Sequence, residues 1–347
     1  MQRRCRLCYH GAEIEVTFMK LSIIIPVYNT REYLAACLDS VLDNACNDCE
    51  IVIVNDGSTD DSGIIAAGYA SRYPELIRVI TTENGGLGAA RNVGLEAAEG
   101  DYLLFLDSDD SLSRGALKEM LAAIDGSFDI GIFDILQVNP SGDTVGTIIG
   151  CGEGGSFTLS EHPALLFDPP SACNKLFRRS LFLDSGVRFP GRVWFEDLRT
   201  VPKLYPLAGA IRNLAKPWYR YLIRQGSITN NANVGRNLEI IDAASEIIEH
   251  YKAAGLYERY ENELCYMAFY NEFLTASVRV NAADPKSDVQ EQLMQWFLHS
   301  FPDWRANPYV KNLSAKHRLL TKLLMKRKRQ SVHMIMKLND RAKNKNG

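Results

Sequence analysis

The chain has 347 residues, 46% of them hydrophobic and 23% charged, a composition that excludes an intrinsically disordered protein. No run approaches the ~18 uninterrupted apolar residues of a transmembrane helix, and the length predicts about two domains. The net charge of −3 conceals an asymmetry, because residues 311–347 carry +11 and residues 1–310 carry −14. A basic segment on an acidic body favours contact with an anionic membrane surface or a polyanion. A solvated helix face is the alternative.

The first 18 residues are polar and rich in arginine, and they lack the apolar core of a signal peptide. We predict that residues 1–18 are a disordered or non-native extension and that the catalytic domain begins at Met19. Two C-x-x-C pairs, Cys5 with Cys8 and Cys46 with Cys49, are too far apart for a zinc ribbon, whose pairs stand ~15–20 residues apart. The cysteines are therefore predicted to be reduced, cytosolic thiols.

Four short apolar runs, at 21–27, 50–55, 76–81 and 101–106, predict buried strands that alternate with helical patterns. This order predicts an α/β fold with a parallel sheet covered on both faces. Ligands of such sheets bind at the carboxyl ends of the strands. Asn29, Asp56 and residues 107–110 all follow strand ends, and we expect them to converge on one edge of the sheet.

A glycine-rich segment precedes the helix predicted at 87–98. Gly86 and Gly88 begin a G-x-G-x-x-G pattern, but Arg91 occupies the third glycine position and the segment follows the third strand. This context argues against a dinucleotide fingerprint. We predict instead that Gly86 and Gly88 permit close backbone approach and that Arg91 points towards the cleft.

Asp107 and Asp109 form a D-x-D pair directly after the fourth strand. Two carboxylates at a strand end are suited to share Mg²⁺ or Mn²⁺ with a polyphosphate, since these ions complete an octahedron with water and phosphate oxygens. The alternatives are helix capping for Asp110 and surface solvation for Asp109.

Four segments (22–29, 53–60, 84–92 and 105–110) resemble, in order, the motifs of the family 2 glycosyltransferases, which are inverting enzymes with the GT-A fold. The resemblance is close over about 20–124 and looser to about 230. It implies a GT-A domain (a Rossmann-like nucleotide-diphospho-sugar transferase fold) over 19–230, with a nucleotide-binding half at 19–128 and an acceptor half at 129–230.

The same resemblance implies roles for single residues. Asp56 would accept a hydrogen bond from the base, which favours uracil, and Arg91 would lie near the nucleotide or the donor sugar. Asp107 would hold the ribose side, and Asp109 would ligate the metal that bridges the diphosphate. The residues implied to line the nucleoside are Pro26, Tyr28 and Asn29.

The general base of this family is usually a carboxylate on an E-D pair downstream of D-x-D. Glu196 and Asp197 fit that position, so the resemblance implies Asp197 as the base and Glu196 as its neighbour. The alternative is that both residues cap a helix that begins near Leu198.

Two further segments resemble parts of the family. Residues 174–178 match an N-K-L-[FY]-R segment, either as packing residues with Lys175 exposed or as a ligand contact. Residues 219–228 resemble the segment that closes over the diphosphate in related enzymes. Many relatives carry a histidine metal ligand there, whereas this chain has none between His162 and His250. Arg224 or Ser227 is expected to meet the phosphates instead.

From about residue 234 the apolar pattern becomes helical, which predicts that 231–347 form a helical appendage. Its last segment alternates leucines (Leu319, Leu320, Leu323 and Leu324) with lysines and arginines. Such a basic amphipathic helix is suited to an anionic membrane surface. Nucleic acid is not a predicted partner, since no nucleic-acid-binding module accompanies the charge. Packing through the leucines is the alternative.

These features predict a cytosolic, peripherally membrane-bound, inverting glycosyltransferase. It would move a sugar from a nucleotide-diphosphate donor, with UDP favoured, to a hydroxyl of a growing, lipid-linked glycan in surface polysaccharide synthesis. A nucleotidyltransferase is one alternative, but residues 26–29 replace the basic, glycine-rich signature that such enzymes carry after the first strand. A catalytically inactive sugar-nucleotide-binding subunit is the other, and the intact set Asp56, Asp107, Asp109 and Asp197 argues against it.

Overall fold

The computed structural model describes residues 4–9, 12–17, 20–43, 48–152, 154–224 and 234–343, with the backbone alone before 20 and after 336. It divides the chain into two compact units. The first unit comprises 1–162 and 171–223, and the second comprises 163–170 and 224–347. The predicted domain start at Met19 and the predicted boundary at 230 lie outside the described residues.

The first unit is built on one ten-stranded mixed sheet. In chain order its strands are β3 (Leu21–Val27), β4 (Cys49–Asp56), β5 (Ile77–Thr82), β6 (Tyr102–Phe105), β7 (Ser111–Leu112), β8 (Ile130–Val138), β9 (Thr144–Ile148), β10 (Ser156–Phe157), β11 (Lys175–Arg178) and β12 (Ile211–Leu222). Eight of them lie side by side in the order β10-β12-β8-β11-β6-β3-β4-β5, while β7 pairs with β12 and β9 pairs with β8. A separate two-stranded antiparallel sheet joins β1 (Arg4–Tyr9) to β2 (Ala12–Thr17).

The parallel half of the sheet agrees closely with the sequence prediction. Strands β3, β4, β5 and β6 run parallel, and every side chain of β3 and β4 is buried. Continuous burial explains why these strands read as unbroken apolar runs. Their carboxyl ends meet at one edge of the sheet, as predicted.

The other half of the sheet consists of strands that the sequence did not predict. Strand β11 lies between β6 and β8 and is antiparallel to both. Strand β12 runs parallel to β8, while β7 and β10 pair with β12 in the antiparallel direction. The sequence did not reveal these strands because β7, β10 and β11 have only two to four residues, and polar residues interrupt the apolar pattern of β8 and β12.

The helices of the first unit are α1 (Leu34–Leu42), α2 (Ser62–Arg72), α3 (Leu87–Ala97), α4 (Ala116–Ala123), α5 (Arg179–Ser185) and α6 (Glu196–Leu204). Helix α3 packs against β3 and β4. Its Gly94 permits this approach, because a Cβ there would lie 2.3 Å from the Cγ2 of Ile24. This contact fixes the helix that carries Arg91.

The second unit is helical, as predicted. Its helices are α7 (Glu239–Ala253), α8 (Tyr257–Ala268), α9 (Ala276–Ala283), α10 (Val289–Ser300), α11 (Pro308–Lys311), α12 (Ala315–Met325) and α13 (Arg329–Lys343), with a π-helical segment at Phe269–Thr275. Aromatic rings form its core: Phe269 stacks on Trp304 at 5.6 Å, and Phe273 stacks on Phe297 at 5.5 Å.

The leucines of the basic segment are divided between core and surface. Leu320 and Leu324 are buried in the core of the helical unit, whereas Leu319 is 49% exposed. Some of the leucines that the sequence analysis assigned to membrane contact are therefore packed inside the helical unit. Within the described residues, no helix combines the length and the apolar character needed to cross a bilayer.

Candidate active site

A buried arginine connects the two acidic motifs. Arg91, on α3, is 1% exposed. Its Nη2 donates to Asp107 Oδ1 at 3.0 Å, and its Nη1 donates to Glu196 Oε1 at 3.0 Å and to Asp197 Oδ1. The D-x-D and E-D motifs, about 90 residues apart in the sequence, therefore share one guanidinium.

The surroundings of Arg91 explain why it remains charged. Its Nη2 lies 3.7 Å from Cys173 Sγ, and its Cζ lies 5.4 Å from the centre of the Phe189 ring. Burial alone lowers the pKa of Arg91, but the carboxylates of Asp197 and Asp107 raise it overall. Removing a partner from a buried ion cluster leaves uncompensated charge, so these groups depend on one another.

The E-D pair lies in the first turn of α6. The helix begins at Glu196, and its N-cap residue Phe195 has a φ of 65°. Neither acid caps the helix, which corrects the capping alternative, but the helix dipole favours negative charge in this turn. Asp197 Oδ2 also accepts a hydrogen bond from the backbone N–H of Ala172 at 2.9 Å.

The two acids of the pair differ in their environment. Burial and the neighbouring Asp197 raise the pKa of Glu196, and Arg91 opposes the shift only in part. The side chains of Glu196 and Asp197 are 15% and 21% exposed. Both acids are therefore held in place and remain open to solvent on one side.

The D-x-D segment alternates between half-buried and buried residues. Asp107 and Asp109 are half-buried, whereas Ser108 and Asp110 are buried. Ser108 Oγ accepts a hydrogen bond from Thr30 Oγ1 at 3.0 Å, which links the loops after β6 and β3.

Asp110 anchors the D-x-D segment to β12. Its Oδ2 accepts from the Tyr219 hydroxyl at 2.7 Å, and its Oδ1 accepts from the N–H of Leu222 at 2.8 Å. Burial and the carboxylates of Asp107 and Asp109 raise the pKa of Asp110 to about 8. Helix capping, the alternative for Asp110, is therefore wrong.

Asp107 and Asp109 are the two carboxylates that the sequence predicts as ligands of a divalent cation. No group of three His, Cys, Asp or Glu side chains is arranged to hold a metal within the described residues. The role of Asp107 and Asp109 as metal ligands stays a prediction, in which phosphate oxygens and water would complete the coordination.

Asp56 holds the glycine-rich loop. The residue is 3% exposed, and its two carboxylate oxygens accept hydrogen bonds from the N–H groups of Gly85 at 2.7 Å and Gly86 at 2.9 Å. Its bond to the loop that leads into α3 is a structural role that the sequence did not suggest. The predicted contact of Asp56 with a base stays a prediction.

Comparison with known proteins decides the family. Residues 22–184 match the family profile described as glycosyl transferase family 2. Residues 22–184 form a glycosyltransferase family 2 domain. This confirms the resemblance seen in the four motifs.

Three curated relatives illustrate the similarity. Glycosyltransferase GlyA of Streptococcus pneumoniae is 32% identical over 78% of this chain and 39% of its own length. Putative glycosyltransferase EpsH of Bacillus subtilis is 33% identical over 60% of this chain and 62% of its own length. A poly(ribitol-phosphate) beta-glucosyltransferase of Bacillus spizizenii is 30% identical over 82% and 46%, respectively. The chain thus spans less than two thirds of each of these relatives.

Solved structures support the fold. Residues 1–349 of S. aureus TarS, in complex with UDP, align with a TM-score of 0.58 at 23% identity, over 86% of this chain and 93% of that chain. The same protein with UDP-GlcNAc gives a TM-score of 0.55 over 83% and 90%. The similarity confirms the predicted GT-A fold.

The family 2 residues implied to line the nucleoside have three different environments. Pro26 is buried in β3, whereas Tyr28 is 49% exposed. Asn29, with a φ of 52°, accepts a hydrogen bond from the N–H of Thr59 at 2.8 Å. Asn29 thus connects the loop after β3 to the loop after β4, and both Tyr28 and Asn29 are exposed.

Gly86 and Gly88 permit a close backbone approach, as predicted. A Cβ on Gly88 would lie 2.1 Å from the carbonyl oxygen of Pro190, and one on Gly86 would lie 2.7 Å from the N of Arg192. The approaching segment leads directly to Glu196. The glycines therefore bring the E-D pair to α3, a consequence that the family 2 motif alone does not reveal.

The N-K-L-F-R segment is structural. Its Lys175 is fully buried, and its Nζ donates to Ser171 O at 2.8 Å and Asn174 Oδ1 at 2.7 Å. Burial of Lys175 corrects the expectation that it is exposed. Of the two residues expected to meet the phosphates, Arg224 is the last described residue before a gap, and Ser227 lies outside the described residues.

Sequence reasoning missed two contributors to the site. Tyr219 is 1% exposed, and besides donating to Asp110 it accepts from the N–H of Asp107 at 3.2 Å. Ala172 binds Asp197 through its backbone, so its side chain gives no signal. Tyr219 comes more than 100 residues after D-x-D, and only the pairing of β12 with β7 and β8 brings it back.

Proposed function

We propose that the chain is an inverting glycosyltransferase that moves a sugar from a nucleotide-diphosphate donor to a hydroxyl of a growing glycan. The observation that carries the proposal is the buried guanidinium of Arg91, which binds Asp107 of D-x-D and both acids of the E-D pair. This arrangement holds a donor-side carboxylate and a candidate base in one rigid cluster. Glycosyl transfer requires both at the same place.

The donor that we propose is a UDP-sugar. Its support is the similarity to TarS, whose solved structures contain UDP and UDP-GlcNAc. Asp56 would read the base with a lone pair that its bonds to Gly85 and Gly86 leave available. Tyr28, which is 49% exposed, would stack on the nucleoside, and Asn29 would line the same pocket with Pro26 beneath it.

Asp107 and Asp109 would hold Mg²⁺ or Mn²⁺ against the diphosphate. Bound there, the ion would act as a Lewis acid and neutralise the charge that develops on the departing nucleoside diphosphate.

The proposed reaction is a single displacement. The carboxylate of Asp197 takes the proton from the acceptor hydroxyl, and the hydroxyl oxygen attacks the anomeric carbon from the face opposite the leaving group. The bond between the anomeric carbon and the phosphate oxygen breaks as the new glycosidic bond forms, so the configuration inverts. Arg91 keeps Asp197 oriented, and Glu196 is its neighbour in the same helical turn.

For the acceptor we propose a lipid-linked glycan of a surface polysaccharide, at the cytoplasmic face of a membrane. The support is indirect: one relative is named a poly(ribitol-phosphate) glucosyltransferase, and residues 311–347 carry a charge of +11. Anionic lipids attract such basic segments. The proposed membrane contact is peripheral.

The two rivals from the sequence make different predictions in one assay. The full chain is incubated with Mg²⁺ or Mn²⁺, a panel of sugar nucleotides and lipid-extract acceptors, and the released nucleotide is identified. We expect nucleoside diphosphate together with a glycosylated product of inverted configuration. Pyrophosphate would indicate a nucleotidyltransferase, and binding without turnover would indicate an inactive subunit. Either result would overturn the proposal.

A further inference from the structure

The helical unit contains a cavity that the proposed reaction does not use. It has a volume of about 490 Å³ and is lined by the turn at Trp304–Ala306, by α11 and by one face of α12. Its apolar lining comes from Trp304, Val310, Leu313 and Met325. The volume is in the range of cavities that bind small molecules.

The charged side chains around this cavity all have the same sign. Arg305, Lys311, Arg318, Lys322 and Lys326 line it, and no Asp or Glu does. Among the described residues, none of these five cations forms a salt bridge with a carboxylate. By contrast, Arg327 lies next to Lys326 in the sequence and its Nε binds Glu291 Oε2 at 2.8 Å.

Spacing on α12 brings three of these cations together. Arg318, Lys322 and Lys326 follow one another at intervals of four residues, so they lie on one face and repel one another. Arg318 is further held by a hydrogen bond from its Nη2 to Leu313 O at 2.8 Å. Repulsion of this kind destabilises the empty cavity. An anion bound between the cations would attract each of them and offset the repulsion.

The lining selects among anionic ligands. A water-soluble polyanion would pair with the cations but gain nothing from Trp304 and Met325. A phospholipid supplies both an anionic phosphate and an apolar chain. Leu319 is 49% exposed and lies one turn from Lys322 on α12, so an apolar side chain is presented beside the cationic face.

We propose that this cavity binds the phosphate headgroup and adjoining chain of a single anionic phospholipid, and that the helical unit docks on a bilayer through this site. The proposal rests on the proposed function only for the presence of a membrane. It differs from diffuse attraction of a basic tail, because it assigns binding to particular cations and to an apolar wall.

The test uses the full chain and phosphatidylcholine vesicles with and without phosphatidylglycerol. Lys322→Gln combined with Lys326→Gln removes two cavity cations without touching the core. Lys316→Gln combined with Lys328→Gln is the matched control. Both lysines are exposed and lie outside the cavity, and the two substitutions remove the same charge as the cavity pair. We expect the cavity pair to weaken binding to phosphatidylglycerol vesicles about ten-fold more than the control pair, because direct bonds to a bound phosphate exceed diffuse attraction. Equal losses would overturn the proposal.

A second measurement reports on the apolar wall. Phosphatidylglycerol with brominated acyl chains should quench the fluorescence of Trp304, and Trp304→Phe should remove most of the quenching. Absence of this quenching, with a soluble polyphosphate competing fully for the cavity cations, would show that the site binds polyanions and would overturn the lipid proposal. Nucleotide release is measured separately, so a chain that passes both tests without turnover contradicts only the proposed function.

Discussion

Arg91 Nη2 donates to Asp107 Oδ1 over 3.0 Å, although the arginine is 1% exposed and the aspartate side chain is 30% exposed. The bond therefore runs from a buried side chain to a partly exposed one. Through this bond, helix α3 orients the Asp107 carboxylate, which we propose binds the sugar-nucleotide donor.

Replacing Arg91 should cost both stability and turnover. Arg91→Met leaves Asp107, Glu196 and Asp197 without their shared cation, and we expect the free energy of unfolding to fall by about 3–5 kcal/mol. Arg91→Lys keeps the charge but not the forked geometry, so turnover should fall even where the fold survives. Urea unfolding and nucleotide release measure the two effects.

The control for this prediction is a surface pair. Arg212 Nη1 lies 3.0 Å from Asp125 Oδ2, with both side chains substantially exposed. Arg212→Met should cost less than about 1 kcal/mol. If Arg91→Met cost no more than this control, the cluster would not have the structural role that we assign to it.

Metal dependence should follow Asp109. We expect chelation to stop nucleotide release and Mg²⁺ or Mn²⁺ to restore it. Asp109→Asn removes one of two proposed carboxylate ligands, so the metal concentration for half-maximal activity should rise roughly ten-fold or more. Asp143→Asn, in the loop between β8 and β9, serves as the control and should leave the metal requirement unchanged. Equal metal requirements in the Asp109 variant and the wild type would remove that residue from the metal site.

Asp197→Asn should separate catalysis from donor binding. The amide cannot take the acceptor proton, so we expect turnover to fall by about 10²–10⁴-fold. Donor affinity, measured by calorimetry with a UDP-sugar, should change little. A large loss of donor affinity instead would show that Asp197 holds the donor, and Glu196→Gln, measured in parallel, would then become the test of the base.

The sequence was sufficient to predict the parts of the site that depend on local pattern. Strand β3 has the predicted bounds, and the loops after β3, β4 and β6 meet as expected because parallel strands share a carboxyl edge. The role of Gly86 and Gly88 could be predicted because glycine, which has no Cβ, is the residue that permits a close backbone approach.

The parts that depend on distant pairing could not be predicted. Lys175 looked like an exposed charge, since nothing local shows that β11 runs through the middle of the sheet. The same holds for Arg91, whose partners Glu196 and Asp197 lie more than 100 residues away. Whether a charged side chain is buried depends on tertiary contacts, and these cannot be inferred from its neighbours in a single sequence.

Gly88→Ala should disturb the site from a distance. The added Cβ would lie 2.1 Å from Pro190 O, which is backbone and has little freedom to move. Overpacking of this kind costs about 1–3 kcal/mol, and displacement of the segment before Glu196 should also reduce turnover. Gly68→Ala, in α2, is the matched control: a Cβ there meets nothing within 4 Å, so stability should rise by roughly 0.5–1 kcal/mol. Full activity in Gly88→Ala would separate this contact from the function of the E-D pair.

Glu272 should give the helical unit a distinctive pH dependence. The residue is 0% exposed, in the π-helical segment, and neither carboxylate oxygen has a hydrogen-bond partner within the described residues. Burial raises the pKa of Glu272 well above its ordinary value. The folded chain therefore holds a proton that the unfolded chain releases near pH ~4.3.

The sign of this effect follows from linkage. Stability from a raised pKa is fully present below the unfolded value and is lost as pH rises towards the folded value, with a slope of at most about 1.4 kcal/mol per pH unit. Glu272→Gln removes this proton, so between pH 5 and 7 its unfolding free energy should decline less steeply than that of the wild type. Glu258→Gln, at an exposed position of α8, should keep the wild-type slope. Urea unfolding across this pH range, followed by tryptophan fluorescence, measures the difference, and parallel slopes for Glu272→Gln and the wild type would mean that Glu272 is ionised in the folded chain.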